Sequence, residues 1–242
     1  MKKALVVLVV LVIVIAGAAF WAYHSLDVIV KFALEHYGPE VTGVTIKVDD
    51  VRLSPRDGRG SLKGVEIGNP RGYSGKRAAK LGEITVALDP ATATAPVVIV
   101  HEILIHEPLI TYERGNKETN LDVIQRNIES YVKRSAVATP EGKTAAGTTV
   151  RHRFVVERLT IRGAKVTMTN PALKGQGITF DLPAIELRDL GKKQNGITAS
   201  EVAHIVATTL ISRIAQKMLT NFDLLRKGGV EGAVDALKGL VK

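Results

Sequence analysis

Between Val44 and Glu113, apolar side chains recur at every second position. Val44, Ile46 and Val48 alternate with Thr45, Lys47 and Asp49, and Ile84, Val86 and Leu88 alternate with Thr85 and Ala87. A period of two gives a strand one apolar face and one wet face. The pattern predicts strands over residues 44–53, 60–67, 83–88, 97–105 and 109–113. Residues 154–169 read as a hairpin around Arg162-Gly163. Ile178, Phe180 and Leu182 alternate with Thr179 and Asp181, and Pro183 ends that strand or confines it to an edge.

Helical spacing appears in three further places. Residues 26–36 put Val30, Ala33 and Leu34 on one face, and Gly38-Pro39 is the expected stop. Asn120 is positioned to cap a helix running to Val132, with Leu121, Ile124, Ile128 and Tyr131 or Val132 as its apolar face. That helix would cover the sheet. Thr198-Ala199-Ser200-Glu201 is a capping box ahead of a stripe of Val202, Ile205, Val206, Leu210, Ile214 and Met218, widened by Ile211, Ala215 and Leu219. A second stripe, Val230, Ala233, Val234, Leu237 and Val241, follows Gly228-Gly229. These last helices suit either packing on the sheet or a membrane-surface or oligomer contact, with Arg213, Lys217, Arg226, Lys227, Lys238 and Lys242 around them.

The amino terminus has a different pattern. Lys2-Lys3 precede an uncharged run from Ala4 to Tyr23. About 20 residues at 1.5 Å each span a ~30 Å hydrocarbon core. The lysines would stay inside, with Trp21 and Tyr23 at the far interface. The competing reading is a signal peptide cleaved at Ala16-Gly17-Ala18, but the apolar run continues through Ala19-Phe20-Trp21-Ala22 without a polar region. An uncleaved anchor is the expectation, and under either reading the body is exported.

The expected fold class is α+β: an N-terminal transmembrane helix, a curved and mainly antiparallel sheet shaped as a groove, packing helices, and amphipathic helices at the carboxyl end. The expected organisation is an anchor at 1–24, a sheet domain with a covering helix at 25–134, and a flexible linker at 135–150. The sheet continues over 151–195, and 196–242 is helical.

Charge and composition narrow the function. The formal charge is +9, which suits an anionic membrane surface or nucleic acid. Aromatic residues make up 5%, too few for base-stacking platforms, so no nucleic acid is expected and anionic lipid headgroups are the simpler partner. There is no cysteine, which excludes thiolate catalysis and cysteine metal sites. His101, Glu102 and His106 do not form a zinc motif, because histidines five apart point to opposite faces of a strand. The run from Gly72 to Arg77 lacks phosphate-loop spacing, Asp49, Asp50 and Asp57 read as turn acids, and no serine elbow is present. No catalytic, cofactor-binding or metal-binding residue is expected, so the chain reads as non-enzymatic. The sharpest local signal is Gly68-Asn69-Pro70-Arg71-Gly72-Tyr73. Pro70 fixes φ while Gly68 and Gly72 permit positive φ, which specifies a tight structural turn.

Four stretches carry a resemblance: Val41-Thr42-Gly43-Val44, Asp50-Val51-Arg52-Leu53, Gly60 through Tyr73, and Ile103 through Ile110. Over roughly the first half of the chain they resemble the start of the AsmA-like family of bacterial envelope proteins, most sharply in the Asn-Pro-x-Gly-Tyr turn. The resemblance implies a single-pass inner-membrane protein with its bulk in the periplasm, involved in lipid transfer or outer-membrane biogenesis. The apolar strand face would then hold acyl chains of a bound phospholipid, with Val44, Ile46, Val48, Ile84, Val86 and Leu88 as groove candidates. The alternative is a scaffolding subunit that meets a protein partner or a second copy through residues 200–222. How completely the helices cover the apolar face separates the two.

Overall fold

A computed structural model describes residues 26–115, 117–137, 152–169 and 177–227. The expected anchor, most of the linker and the stripe from Val230 to Val241 lie outside the described residues. The elements are α1 (Leu26–Thr42), β1 (Ile46–Lys47), β2 (Asp50–Ser54), β3 (Arg59–Gly68), β4 (Arg77–Leu88), β5 (Val97–His106), β6 (Leu109–Glu113), α2 (Asn120–Val137), β7 (Arg153–Arg162), β8 (Lys165–Thr169), β9 (Ile178–Asp181), β10 (Ile185–Leu190) and α3 (Ala199–Lys227). Among the described residues the fold is α+β, with a mixed, curved sheet of ten strands and three α-helices. The β5–β7 and β6–β8 pairings are parallel and the other seven antiparallel. Parallel neighbours need a crossover, and α2 lies in it.

Most of the ten strands are halves of longer, bent ones. β1 and β2 both pair with β3, β5 and β6 both pair with β4, β7 continues into β8, and β9 continues into β10. With β3 and β4 this makes six strands that all bend on one line. The residues on that line are strand breakers. Gly64 (φ +59°) falls between the pairs Lys63–Glu83 and Val65–Leu81, and so faces Gly82. Next come Glu107 (φ 46°) with Pro108, then Gly163 (φ 65°), then Leu182-Pro183. Hydrogen bonding continues across the bend. The amide of Glu107 donates to the Arg162 carbonyl (2.8 Å), that of Lys165 to Pro108 (2.9 Å) and that of Leu182 to Ala164 (2.9 Å).

This crease corrects the expected hairpin at Arg162-Gly163. β7 and β8 do not pair with each other: both run on in the same direction, alongside β5 and β6. Each strand also changes parity at the crease. Ile103 and Ile105 face the core before it, Ile110 and Tyr112 after it; Leu159 and Ile161 before, Val166 and Met168 after. One extra residue per strand keeps the apolar face on the same side through the bend. The expected single strand over 44–53 is likewise divided, between β1 and β2, at Val48-Asp49.

Three helix boundaries differ from expectation. α1 runs through Gly38-Pro39 to Thr42. A proline this near the end removes little of the hydrogen-bond ladder, the Thr42 hydroxyl bonds the Gly38 carbonyl (2.9 Å), and Gly43 (φ +72°) closes the helix on Pro39 (2.9 Å). α2 is capped by Thr119, not Asn120. The Thr119 hydroxyl accepts from the Asp122 amide (3.2 Å), and the Asp122 carboxylate accepts from the Thr119 amide (2.9 Å). Asn120 is used elsewhere, as described below. α2 also extends to Val137, taking the first residues of the expected linker. The capping box before α3 forms as expected: the Glu201 carboxylate accepts from the Thr198 amide (2.7 Å), and the Thr198 hydroxyl from the Glu201 amide (3.2 Å).

Candidate functional site

The register lines the apolar residues into ladders that cross the whole sheet. One runs Ile46, Ile67, Ala79, Ile110, Val166, Phe180. On the other side of the crease, Val51, Leu62, Ile84, Ile105, Ile161 and Ile185 form a second, and Leu53, Gly60, Val86, Ile103, Leu159 and Leu187 a third. The intervening rows are polar and matched in charge. Lys63 faces Glu83 (3.7 Å), Lys80 faces Glu66 (3.4 Å) and Lys165 faces Asp181 (3.4 Å). One face is therefore oily and the other solvated.

The helices lie on the oily face and leave a cavity at the crease of about 300 Å³. Ile46, Ile67, Ala79, Leu81 and Ile110 line it from one half of the sheet, Ile105 and Ile161 from the other. Leu121, Ile124 and Ile128 come from α2, and Ala203, Val206, Ala207, Leu210 and Ile211 from α3. Thr42 supplies its polar side chain, and no described charged side chain reaches it. Short side chains line it from both sides, Ala79 on β4 and Ala203 and Ala207 on α3, and leave this space open.

The first half of α3 closes the cavity, with Val202, Ala203, Val206, Ala207, Leu210 and Ile211 packed against the core. No residue from Ser200 to Ile211 is fully buried, although most of them are apolar. Ile214 (0% exposed) and Met218 (6%) are the first to seat in the core. At the other end the capping box fixes the start. Between them, Gln125 of α2 donates to the Thr208 hydroxyl (3.0 Å), and the Nδ1 of His204 is buried without a hydrogen-bond partner.

The expected groove residues separate on this surface. Val44 (5% exposed) and Val48 (2%) are closed into the core, Ile46 lines the cavity, and Ile84, Val86 and Leu88 are half-buried on β4. His101 pairs with Glu157 (2.9 Å), while His106 stands opposite Glu83, and no metal-binding cluster forms among the described residues.

The turn from Gly68 to Tyr73 is bolted to a buried carboxylate that the sequence did not announce. Glu113 (1% exposed) accepts from the Ser74 amide (2.6 Å), the Ser74 hydroxyl (2.8 Å), the Gly75 amide (3.1 Å) and the Asn69 side chain (3.2 Å). Burial alone would raise the carboxyl's pKa, but these donors outweigh it and hold Glu113 below the usual carboxylate range. Buried Asn120 completes the network. Its amide group donates to Asn69 (2.8 Å) and to the Thr111 carbonyl (2.8 Å), and its oxygen accepts from the Glu113 amide (2.9 Å). The Tyr73 hydroxyl donates to the Glu118 carbonyl (2.9 Å), and Gly72 takes φ +92°. Every group in the network is satisfied internally, which makes it a brace and not a binding site. An acid at the end of an apolar strand was the only local signal, and its partner Asn69 lies 44 positions away in the chain.

No protein-family model matches the chain, and no curated protein does. The cavity therefore has to be read from its own chemistry. Among the described residues its lining carries no acid pair or ion ligand. It offers apolar contact, a shape, and a cover, the first half of α3, that is only partly buried.

Proposed function

We propose that the chain is a non-enzymatic envelope protein, anchored in the inner membrane by residues 4–23, that holds an acyl chain in the cavity at the crease. The single observation that carries the reading is a cavity of about 300 Å³ walled almost wholly by hydrocarbon. Water in it finds almost no polar partner, whereas a hydrocarbon guest takes its apolar wall out of water. Half-buried Leu62 and Ile84 on the second ladder and Val86 on the third extend the apolar path away from the cavity. The resemblance to AsmA-like proteins, with their role in lipid transfer and outer-membrane biogenesis, points the same way.

Filling the space tests the reading. Ala207→Phe places a ring in the cavity from the α3 side. The expected outcome is a protein at least as stable as the parent, extracted in mild detergent with its co-purifying lipid lost, as read by mass spectrometry. A stable variant that keeps the parent's lipid complement, or a parent that carries none, overturns it. The scaffolding alternative draws on Leu219 of α3, which is 60% exposed. It calls for an oligomer in native mass spectrometry that Leu219→Asp dissolves.

A further inference from the structure

We infer that α1 lies on the outer surface of the membrane, with one face in the headgroup layer and the other clamped to the edge of the sheet. The inference rests on the membrane-anchor reading and extends it to a partner surface.

The clamp is built from charged residues four apart. Asp27 accepts from the Leu53 amide (2.9 Å), Lys31 donates to the Asp49 carbonyl (3.0 Å) and Glu35 accepts from the Val48 amide (2.9 Å). These are backbone groups of the β1–β2 edge that no neighbouring strand satisfies. Val30 and Leu34 on the same side pack with Val48, Val51 and Val65. This face of the helix is fully used.

The opposite face is apolar and bare. Val28 is 70% exposed, Phe32 60% and Ile29 46%, and Phe32 stacks on His36 at 5.2 Å between ring centres. Positions 28, 29, 32 and 36 share one side of a helix. The position of α1 in the chain names the surface that covers them. The uncharged run from Ala4 ends at Tyr23, three positions before Leu26, the first described residue of α1. Three residues reach at most about 11 Å. On the anchor reading, a helix this close to the end of the span, with aliphatic and aromatic residues on one side and charged residues on the other, is placed to lie in the interface plane. The β1–β2 edge then stands one helix diameter, about 10 Å, from the bilayer surface. The apolar ladders that start at Val51 and Leu53 begin directly behind the helix, under Val30 and Leu34.

The chain has no cysteine, so single-cysteine reporters need no background removed. The full-length protein would be reconstituted in phosphatidylethanolamine–phosphatidylglycerol vesicles. Val28→Cys, Phe32→Cys, Ile13→Cys and Lys193→Cys would each carry an environment-sensitive fluorophore. Lys193 sits in the exposed turn after β10, at the far edge of the sheet. The expected result is quenching of 28 and 32 by lipid-borne nitroxide with protection from aqueous iodide, and the reverse at 193. Iodide quenching at 28 and 32, with 13 quenched from the lipid, overturns the inference and leaves the anchor standing. Shielding of 28 and 32 from both quenchers shows that protein covers the stripe, and overturns it as well. A reporter at 13 that the lipid does not quench refutes the anchor, while 28 and 32 still report the helix independently.

Discussion

Glu113 shows what a single residue does in this fold. Its carboxylate ties the Gly68–Tyr73 turn to the end of β6 through four donors, and it is 1% exposed. Its folded-state pKa lies below the unfolded value, so its stabilisation is present above the ordinary carboxylate pKa and is lost as pH falls through the folded one. Glu113→Gln removes the charge while keeping the shape. It is expected to cost about 1–3 kcal/mol near neutral pH, because amides that now donate to a carboxylate lose an acceptor or gain a weaker one. The deficit should shrink as pH falls below the ordinary carboxylate value and through the lowered folded-state one. Urea midpoints of parent and variant, followed from neutral into acid pH, check this. A deficit that stays constant with pH would show that the charge contributes nothing.

At the scale of elements, the crease is the organising device. Sheets usually curve by accumulated twist. Here six strands bend together because each places a glycine, a proline or an added residue on one line. Gly163 is one of these positions. Its φ is +65°, and an added Cβ would lie 3.1 Å from the Glu107 side chain on the neighbouring strand. Gly163→Val is expected to lower stability by about 1–3 kcal/mol, since a β-branched residue must hold a left-handed conformation there. Thermal unfolding followed by circular dichroism reads the loss. An unchanged midpoint would mean that the bend does not depend on that residue. The same device explains a boundary missed by reading the chain alone. The half of β4 from Arg77 to Gly82 contains two alanines and a glycine, weak strand formers whose place is fixed by β3 and β6 on either side.

At the scale of the whole molecule, orientation is the open variable with the simplest test. No described helix is long and apolar enough to cross a membrane, so the anchor reading rests on residues 4–23. On the proposed anchoring, Lys2-Lys3 ahead of that run would keep the amino terminus inside. A reporter active only in the cytoplasm, fused after Lys242, is expected to be silent. Activity from it would reverse the orientation and take the groove to the other side of the membrane. The positive charge fits the outward surface of an anionic bilayer, where each well-placed Lys or Arg contributes about 1 kcal/mol.

What the sequence determined by itself was local chemistry. The sequence pattern located β3, β5, β6 and the half of β4 from Glu83 to Leu88, the box from Thr198 to Glu201 fixed the start of α3, and Gly72 announced its positive φ. Each of these is settled by residues within a few positions of one another. Tertiary structure decided which strands are one strand. The parity change from Ile105 to Ile110 can be read along the chain, but it suits a hairpin as well as a bend, and the hydrogen-bonding partner settles which. The same dependence made Thr119 the cap of α2, because Asn120 was already committed to Asn69, Thr111 and Glu113 across the fold. It also made the cavity. Its volume is the space that Ala79, Ala203 and Ala207 fail to fill, and two surfaces distant in sequence must meet before such a gap has a size.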